Sequence, residues 1–239
     1  MASKWRGGWA LLLAAGCWIA TAPVVAQTGG AQNLAPGFAG IALTDKVLLM
    51  PVDVELFSMS AGGINEPRAD WTAAAQRNMR EAIAARKQAT RIDVVELAEA
   101  DTDAFGELIA LHAAVAQSIA LHHSSGSTWA LPTKGGQLLW SFGDAMAPLQ
   151  AKSGARYALF MWVRDSYASA ERKAAMVALV LLGVGIPLGA QVGYASLVDL
   201  QTGDVVWFNR LARPTGDLRE PGPAKESIDS LLSGFPTAK

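Results

Sequence analysis

Three carboxylate residues are the first candidates for chemistry in this 239-residue chain. Asp53 and Glu55 lie two residues apart in one predicted strand, and Asp165 lies just beyond another. Carboxylates with different pKa values can serve as the general acid and general base of a hydrolysis reaction. The three residues therefore define one hypothesis, a carboxylate-based hydrolase. The alternative is that they are solvated residues at the ends of strands.

The three histidines do not have the spacing of a metal site. His112 and His123 share one face of a predicted helix, but eleven residues at 1.5 Å each separate them by roughly 16 Å. Zinc ligands lie about 2 Å from the metal, so one ion cannot bridge the pair. His122 points about 100° away from His123. We expect no metal site, a partly buried His112 and exposed histidines at the end of the helix.

A glycine-rich run near residue 185 resembles a dinucleotide-binding loop only superficially. Gly183, Gly185 and Gly189 have the spacing GxGxxxG, and Pro187 stands where a helix would begin to donate its amide groups. The sequence also lacks a GxSxG nucleophile motif, a P-loop and an HExxH motif. It therefore predicts no cofactor and no catalytic residues of these kinds.

The charge balance argues against binding to polyanions. The chain carries a formal net charge of −1, and removal of an N-terminal leader containing Lys4 and Arg6 would change this to −3. Such a chain provides no positive field for collecting phosphates. We therefore expect no nucleic-acid partner.

The N-terminus has the three parts of a secretory signal peptide. Lys4 and Arg6 supply the positive start, and an apolar stretch follows from Trp9 to Ala22. Val24 and Ala26 are small enough for the −3 and −1 positions of a signal peptidase site. We therefore predict a signal peptide over residues 1–26 and a periplasmic location.

A second interpretation of the leader involves the single cysteine of the chain, Cys17. The residues from Leu13 to Cys17 resemble a lipobox, in which Cys17 would be acylated and would anchor the protein to a membrane. After cleavage at Ala26, in contrast, the protein would contain no cysteine and therefore no disulfide. Both routes lead out of the cytoplasm.

The remaining chain alternates strand and helix patterns. Residues 27–45 are rich in Gly, Ala, Gln and Pro and predict a flexible tether, and residues 46–239 predict a single α/β domain. Predicted strands cover Lys46–Pro51, Val52–Met59, Arg91–Leu97 and Tyr157–Val163, with a C-terminal β-hairpin of Tyr194–Leu200 and Val205–Leu211. Predicted helices run from Trp71 to Ile83, from Phe105 to Ile119, from Gly136 to Ala151 and from Ala224 to Leu232. Strands that alternate with helices predict a mixed sheet flanked by helices.

An uncharged segment from Ala174 to Ala190 is the most unusual part of the sequence. As a helix it would span about 26 Å, the lower limit for crossing a bilayer. We expect a helix followed by a Gly-rich turn that packs on the sheet or on another subunit. Membrane contact is the alternative. The candidate assembly or membrane residues are Val177, Leu179, Leu181, Leu182, Val184 and Ile186.

Two runs near the C-terminus resemble a known group of envelope proteins. The run GARYALF from Gly154 to Phe160, and the run ASLVDLQTGDVVW from Ala195 to Trp207, are similar to the pattern of envelope lipoproteins related to CsgG, LpoB and the N-terminal domain of TolB. The resemblance implies an α/β domain that binds other proteins or self-assembles, with no inherited catalytic residues. Amphipathic hairpins of the pore-forming member lie near the position of 174–190, and this chain lacks their alternation.

These observations together predict a non-enzymatic, exported envelope accessory protein that binds protein partners or copies of itself. Two alternatives stay open: the carboxylate hydrolase, and a membrane-inserted, pore-associated lipoprotein.

Overall fold

A computed structural model describes residues 33–88, 91–123, 128–180 and 189–239. The chain forms the predicted α/β domain with a seven-stranded mixed sheet. The strands are β1 (Lys46–Leu49), β2 (Asp53–Met59), β3 (Asn65–Pro67), β4 (Asp93–Glu96), β5 (Tyr157–Ala168), β6 (Gly189–Asp199) and β7 (Val205–Arg213). The α-helices are α1 (Ala69–Gln88), α2 (Gly106–His122), α3 (Ala147–Ser153), α4 (Ala170–Val180) and α5 (Pro221–Leu231).

Strand β5 is the centre of the sheet. One of its edges pairs antiparallel with β6, from Tyr157 opposite Asp199 to Tyr167 opposite Gly189, and β7 continues the sheet beyond β6. Its other edge pairs in parallel with β1 near the start and with β2 near the end. Strand β4 adds in parallel to β1, and β3 adds antiparallel to β2.

Residues of β5 alternate between two hydrophobic cores, because successive side chains of a strand point to opposite faces. Leu159, Met161 and Val163 face one core with α1 and α5. Ala158 and Phe160 face the other core with α2 and α3. The domain is therefore a three-layer α/β sandwich.

Helix α2 and the 3₁₀ turn before it together form a helical stretch, Asp103–His122, that is long and apolar enough to cross a membrane by length and composition. Its buried residues Leu108, Ala116 and Ile119 belong to the second core, however. This is the arrangement of a helix that packs on a sheet.

Residues 33–45 differ from the flexible tether predicted for 27–45. The amide of Phe208 donates to the carbonyl of Asn33 (2.9 Å), and the amide of Ala35 donates to the carbonyl of Val206 (3.0 Å). Ile41 is fully buried, and the ring of Phe38 packs edge-on against Tyr157. The outer edge of β7 needs hydrogen-bond partners, and this segment supplies them. The packed unit therefore begins before Lys46; residues 27–32 lie outside the described residues.

The helix predicted over Gly136–Ala151 was too long. Gly135 and Gly136 both adopt positive φ angles, of 55° and 73°, which are incompatible with a right-handed helix. Ser141 pairs with Asp204, a 3₁₀ turn covers Gly143–Met146, and only α3 is α-helical.

The strands around the uncharged segment are longer than predicted. Strand β5 continues five residues past Val163, and β6 begins at Gly189 rather than at Tyr194. Charged residues such as Arg164 are tolerated there because they have partners on neighbouring strands. Helix α4 forms where a helix was predicted.

Candidate functional site

An open cleft of about 680 Å³ lies at the carboxyl ends of the parallel strands β2 and β5. Ligand sites of α/β sheets are found at this edge, because the loops that leave the strands diverge there. We call it the strand-end cleft. Its lining combines strand ends, the starts of α1 and α4 and the β7–α5 loop: Ser58, Ser60, Ala61, Gly62, Glu66, Arg68, Trp71, Tyr167, Ala168, Ser169, Ala170, Glu171, Lys173 and Arg219.

An aromatic and guanidinium cluster forms one wall of the strand-end cleft. The guanidinium carbons of Arg68 and Arg219 lie 4.5 and 4.4 Å from the ring centre of Trp71. Arg219 also lies 4.3 Å from the ring of Tyr167, which contacts Trp71 edge-on at 5.8 Å. Cation–π contacts of this kind contribute about 0.5–1 kcal/mol each at exposed sites. They hold the β7–α5 loop against α1 and β5.

Behind this wall lies the buried carboxylate of Asp165. It accepts hydrogen bonds from the hydroxyl of Tyr167 and from Nε2 of Gln191 (2.7 Å). Ser227 of α5 donates in turn to Oε1 of Gln191 (2.7 Å). Burial raises the pKa of Asp165 to about 6, although these hydrogen bonds oppose the rise. Asp165 is therefore a carboxyl group that titrates near neutral pH, as catalytic acids and proton sensors do.

The two other predicted carboxylates lie on the opposite face of the sheet. Asp53 forms an ion pair with Arg164 at 2.7 Å, and Glu55 approaches the same guanidinium at 3.4 Å. Arg164 and Asp165 are adjacent in β5, so their side chains point to opposite faces. The structure thus does not bring Asp53 and Glu55 together with Asp165 in one site.

His112 and His122 of α2 occupy different environments. His112 is buried, lies 3.0 Å from the hydroxyl of Ser196 and stacks on Phe160. Burial lowers its pKa to about 3, so the imidazole is neutral at physiological pH. His122 lies at the end of α2, half-buried. Within the described residues, no group of three or more His, Cys, Asp or Glu side chains could hold a metal ion.

A second surface feature surrounds the end of α2. Nδ1 of His122 lies 2.6 Å from the carbonyl oxygen of Trp129, and the imidazole stacks on Trp140. Nζ of Lys134 lies 4.3 Å from the Trp140 ring and donates to the carbonyl of Leu139. We call Leu121, His122, Trp129, Leu139 and Trp140 the aromatic surface. Three of its members are largely exposed: Trp129 (65%), Leu121 (50%) and Leu139 (46%).

The predicted assembly segment is only partly described. Val177 lies on α4 and is 67% exposed. Leu179 also belongs to α4, and Leu181, Leu182, Val184 and Ile186 lie outside the described residues, as does Cys17. Their roles stay predictions.

Sequence reasoning missed most residues around Asp165. Trp71 was assigned only to the apolar face of a helix, and Tyr167, Gln191 and Arg219 were not considered. A signal exists for one of them, because Asp165 and Tyr167 are two residues apart and must share a face if the strand continues past Val163. Gln191 and Arg219 belong to other strands and loops, and sequence spacing carries no signal for them.

The chain is similar to several solved structures at low identity. The PelC dodecamer from Paraburkholderia phytofirmans aligns over 86% of this chain and 95% of that chain, with 14% identity and a TM-score of 0.41. Lipoprotein GNA1162 from Neisseria meningitidis aligns over 72% and 81%, with 11% identity and a TM-score of 0.29. The LpoB C-terminal domain from Salmonella enterica aligns over 77% and 96%, with 16% identity and a TM-score of 0.26.

LpoB is one of the proteins that the sequence of the C-terminal hairpin resembles. The resemblance to CsgG and TolB stays a prediction. No family model and no curated protein matches the chain.

Proposed function

We propose that this chain is an exported accessory protein of the bacterial cell envelope that acts by binding another protein or a further copy of itself, and not by catalysis. The observation that carries the proposal is the aromatic surface at the end of α2. Export rests on the N-terminal sequence, with its basic start, apolar stretch and small residues before Gln27.

The aromatic surface has the composition of a protein-binding site. Tryptophan is enriched among the residues that dominate binding energy, and exposed apolar patches mark interaction sites. Trp129 and Leu139 expose large apolar side chains, and the ammonium group of Lys134 donates to the carbonyl of Leu139. The imidazole of His122 stacks on the indole of Trp140 within this surface.

The position of the surface also suits docking. It is built by the end of α2 and by residues 129–140, and the amide of Val205 in β7 donates to the carbonyl of Trp140 (2.8 Å), which ties this part of the backbone to the sheet. A surface fixed in this way loses little conformational entropy on binding. Replacement of Trp129 by Ala should therefore weaken binding without unfolding the domain.

Site-specific photo-crosslinking in intact envelopes tests the proposal. A photoreactive residue placed at position 129 should give a defined crosslinked band, either a dimer of this chain or a complex with one other protein. The matched control is position 80, an exposed arginine of α1 on the other side of the sheet. If positions 129 and 80 give the same bands and the purified protein is monomeric by light scattering, the proposed docking function is wrong.

Mass spectrometry of the mature N-terminus tests the export step. A protein that begins at Gln27 supports cleavage after Ala26, and an acylated Cys17 supports the lipoprotein route. A full-length chain recovered from the cytoplasm would contradict both. Carbonate washing of membranes from cells that make a Cys17→Ala variant tests the membrane-inserted alternative. A chain that only its lipid anchors would be found in the soluble fraction, whereas a membrane-inserted chain would stay in the membrane.

A further inference from the structure

Helix α2 carries no charged side chain over most of its length. From Leu108 to Leu121 the sequence contains no Asp, Glu, Lys or Arg. A helix that is apolar on all sides is normally buried on all sides. In the stretch Asp103–His122, however, only 28% of the most apolar window is buried in the domain. One side of α2 therefore exposes an apolar surface to solvent.

The exposed side of α2 forms one stripe that runs along the helix. Its members recur at spacings of three and four residues, which places them on one helical face. We call it the α2 stripe: Ala110, Leu111, Ala114, Gln117, Ser118 and Leu121. The hydroxyl of Ser118 donates to the carbonyl of Ala114 at 2.9 Å, so its need for an acceptor is met within the helix. Leu111 is 39% exposed, and Leu121 continues the stripe into the aromatic surface.

Opposite charges lie at the two ends of the α2 stripe. Asp103 and Glu107, both exposed, stand at the start of the helix. Lys134 lies at the other end, where its ammonium group is 4.3 Å from the ring of Trp140, which stacks on His122. Two such stripes complement each other when they run antiparallel, because each acidic end then meets a basic end. A membrane surface is a poorer match, because anionic headgroups attract cations and would repel the two acidic residues.

We propose that the α2 stripe binds the α2 stripe of a second copy of this chain, in an antiparallel pair with a two-fold axis near Ala114. This inference rests on the proposed function, whose partner it names as a second copy. A two-fold interface uses the same surface on both copies, so a stripe that is apolar in the middle and oppositely charged at its ends fits itself. The side chain of Ala114 is short enough to let the two helices approach closely where they cross. In this register Ala110 of one copy lies near Ser118 of the other, and Glu107 reaches the end of the stripe that Lys134 occupies.

Sedimentation velocity of the purified protein, from about 1 to about 200 μM, tests the pairing. We expect an equilibrium between monomer and dimer, since one helix face with its aromatic end is small for a specific interface. Ala114→Glu should raise the dissociation constant of the dimer by at least about tenfold, because it places two carboxylates at the two-fold axis. The matched control is Ala84→Glu, at an exposed alanine of α1 on the other side of the sheet, which should leave the dimer unchanged.

Charge reversal tests whether the ends of the two stripes meet. Glu107→Lys and Lys134→Glu should each weaken the dimer by roughly five- to tenfold, since every charge pair occurs twice in a two-fold interface. The double variant restores opposite charges and should dissociate like the wild type to within about threefold. Damage to the fold of a single variant would not be repaired in this way. A double variant as weak as the weaker single variant would show that the antiparallel pairing is wrong.

Disulfide formation between introduced cysteines tests the register. In a Cys17→Ala background, Ala114→Cys should form a crosslinked dimer, because its two Cβ atoms meet at the axis. A mixture of Ala110→Cys and Ser118→Cys chains should crosslink more than either variant alone, whereas the control Ala84→Cys should stay monomeric under the same oxidation. Stronger crosslinking of Ala110→Cys with itself than in the mixture would indicate parallel helices and contradict the proposal.

A protein that stays monomeric at the highest concentration overturns the pairing of the α2 stripes. The docking function survives that result if position 129 still crosslinks to a different protein, and it fails as well if position 129 gives only the bands of position 80. A dimer that Ala114→Glu leaves intact uses another surface and also overturns the pairing. So does a monomer that binds vesicles of phosphatidylethanolamine and phosphatidylglycerol and loses this binding in Ala114→Glu, because the stripe would then face a membrane.

Discussion

A Cβ atom placed on Gly203 would lie only 2.3 Å from the carbonyl oxygen of Gly143. Gly203 is in the turn between β6 and β7 with a φ angle of 75°, and its carbonyl accepts the amide proton of Phe142 at 2.8 Å. The turn thus packs directly on the backbone that precedes α3. The glycine of the Thr-Gly pair is required for this contact as well as for the turn itself.

Gly203→Ala should destabilise the domain by more than about 2 kcal/mol, because a positive φ angle costs roughly 1–2 kcal/mol for a residue with a Cβ and the collision adds to it. Gly136→Ala is the matched control, with a φ angle of 73° and open space around its Cβ position. Gly136→Ala should lose only the roughly 1–2 kcal/mol that the positive φ angle costs. Urea unfolding measures both, and equal losses would show that the contact with Gly143 has no energetic importance.

Acidification should destabilise the domain through His112. Its pKa is lowered to about 3 in the folded protein, so the unfolded chain, with an ordinary value near 6.5, binds the proton more readily. The stabilising effect is present above pH 6.5 and decreases as the pH falls toward 3, by roughly 3 kcal/mol at pH 4.

The variant His112→Leu removes this contribution and should flatten the acid side of the stability curve measured by urea unfolding. At pH 7 it should be less stable than the wild type, because it leaves the buried hydroxyl of Ser196 without its partner. The double variant with Ser196→Ala should recover part of the loss. If the stability of His112→Leu falls with acidification as steeply as that of the wild type, another group dominates the acid destabilisation.

Asp165 should have the opposite effect on the pH dependence of stability. Its folded-state pKa is raised to about 6, so the stability it contributes is complete below an unfolded value near 3.8 and is lost as the pH rises through 6. Asp165→Asn should therefore be more stable than the wild type at pH 7.5, by up to about 3 kcal/mol, and nearly equal to it at pH 4. Thermal unfolding at the two pH values measures the difference, and a variant that is less stable at pH 7.5 would contradict the assignment.

The segment before β1 contains a matched pair of aliphatic residues. Ile41 is fully buried in the first core, whereas Leu43 is 62% exposed. Ile41→Ala should cost about 2–5 kcal/mol and Leu43→Ala less than about 0.5 kcal/mol. Similar small losses in both variants would mean that this segment is a tether, as its composition predicts.

Local sequence patterns predicted the elements whose signals are local. The helical spacing from Trp71 to Ile83 predicted α1, the apolar run after Lys46 predicted β1, and the Thr202-Gly203 turn predicted the hairpin of β6 and β7. Each of these signals comes from side-chain periodicity or turn chemistry within a few residues. The helix predicted over Gly136–Ala151 was too long because Gly136 and Gly143 adopt left-handed conformations, and Gly143 lies against Gly203 of the β6–β7 turn.

The candidate site depends on contacts between distant parts of the chain. By itself, the sequence determined the α/β class and the alternation of strands and helices. It also established that the chain lacks a GxSxG motif, a P-loop and an HExxH motif. Only the tertiary structure decided that Asp53 and Glu55 pair with Arg164 on one face while Asp165 is buried on the other with Tyr167 and Gln191. The reason is that β5 and β6 lengthen by pairing with each other, and the pleat of a strand then sends adjacent side chains to opposite faces.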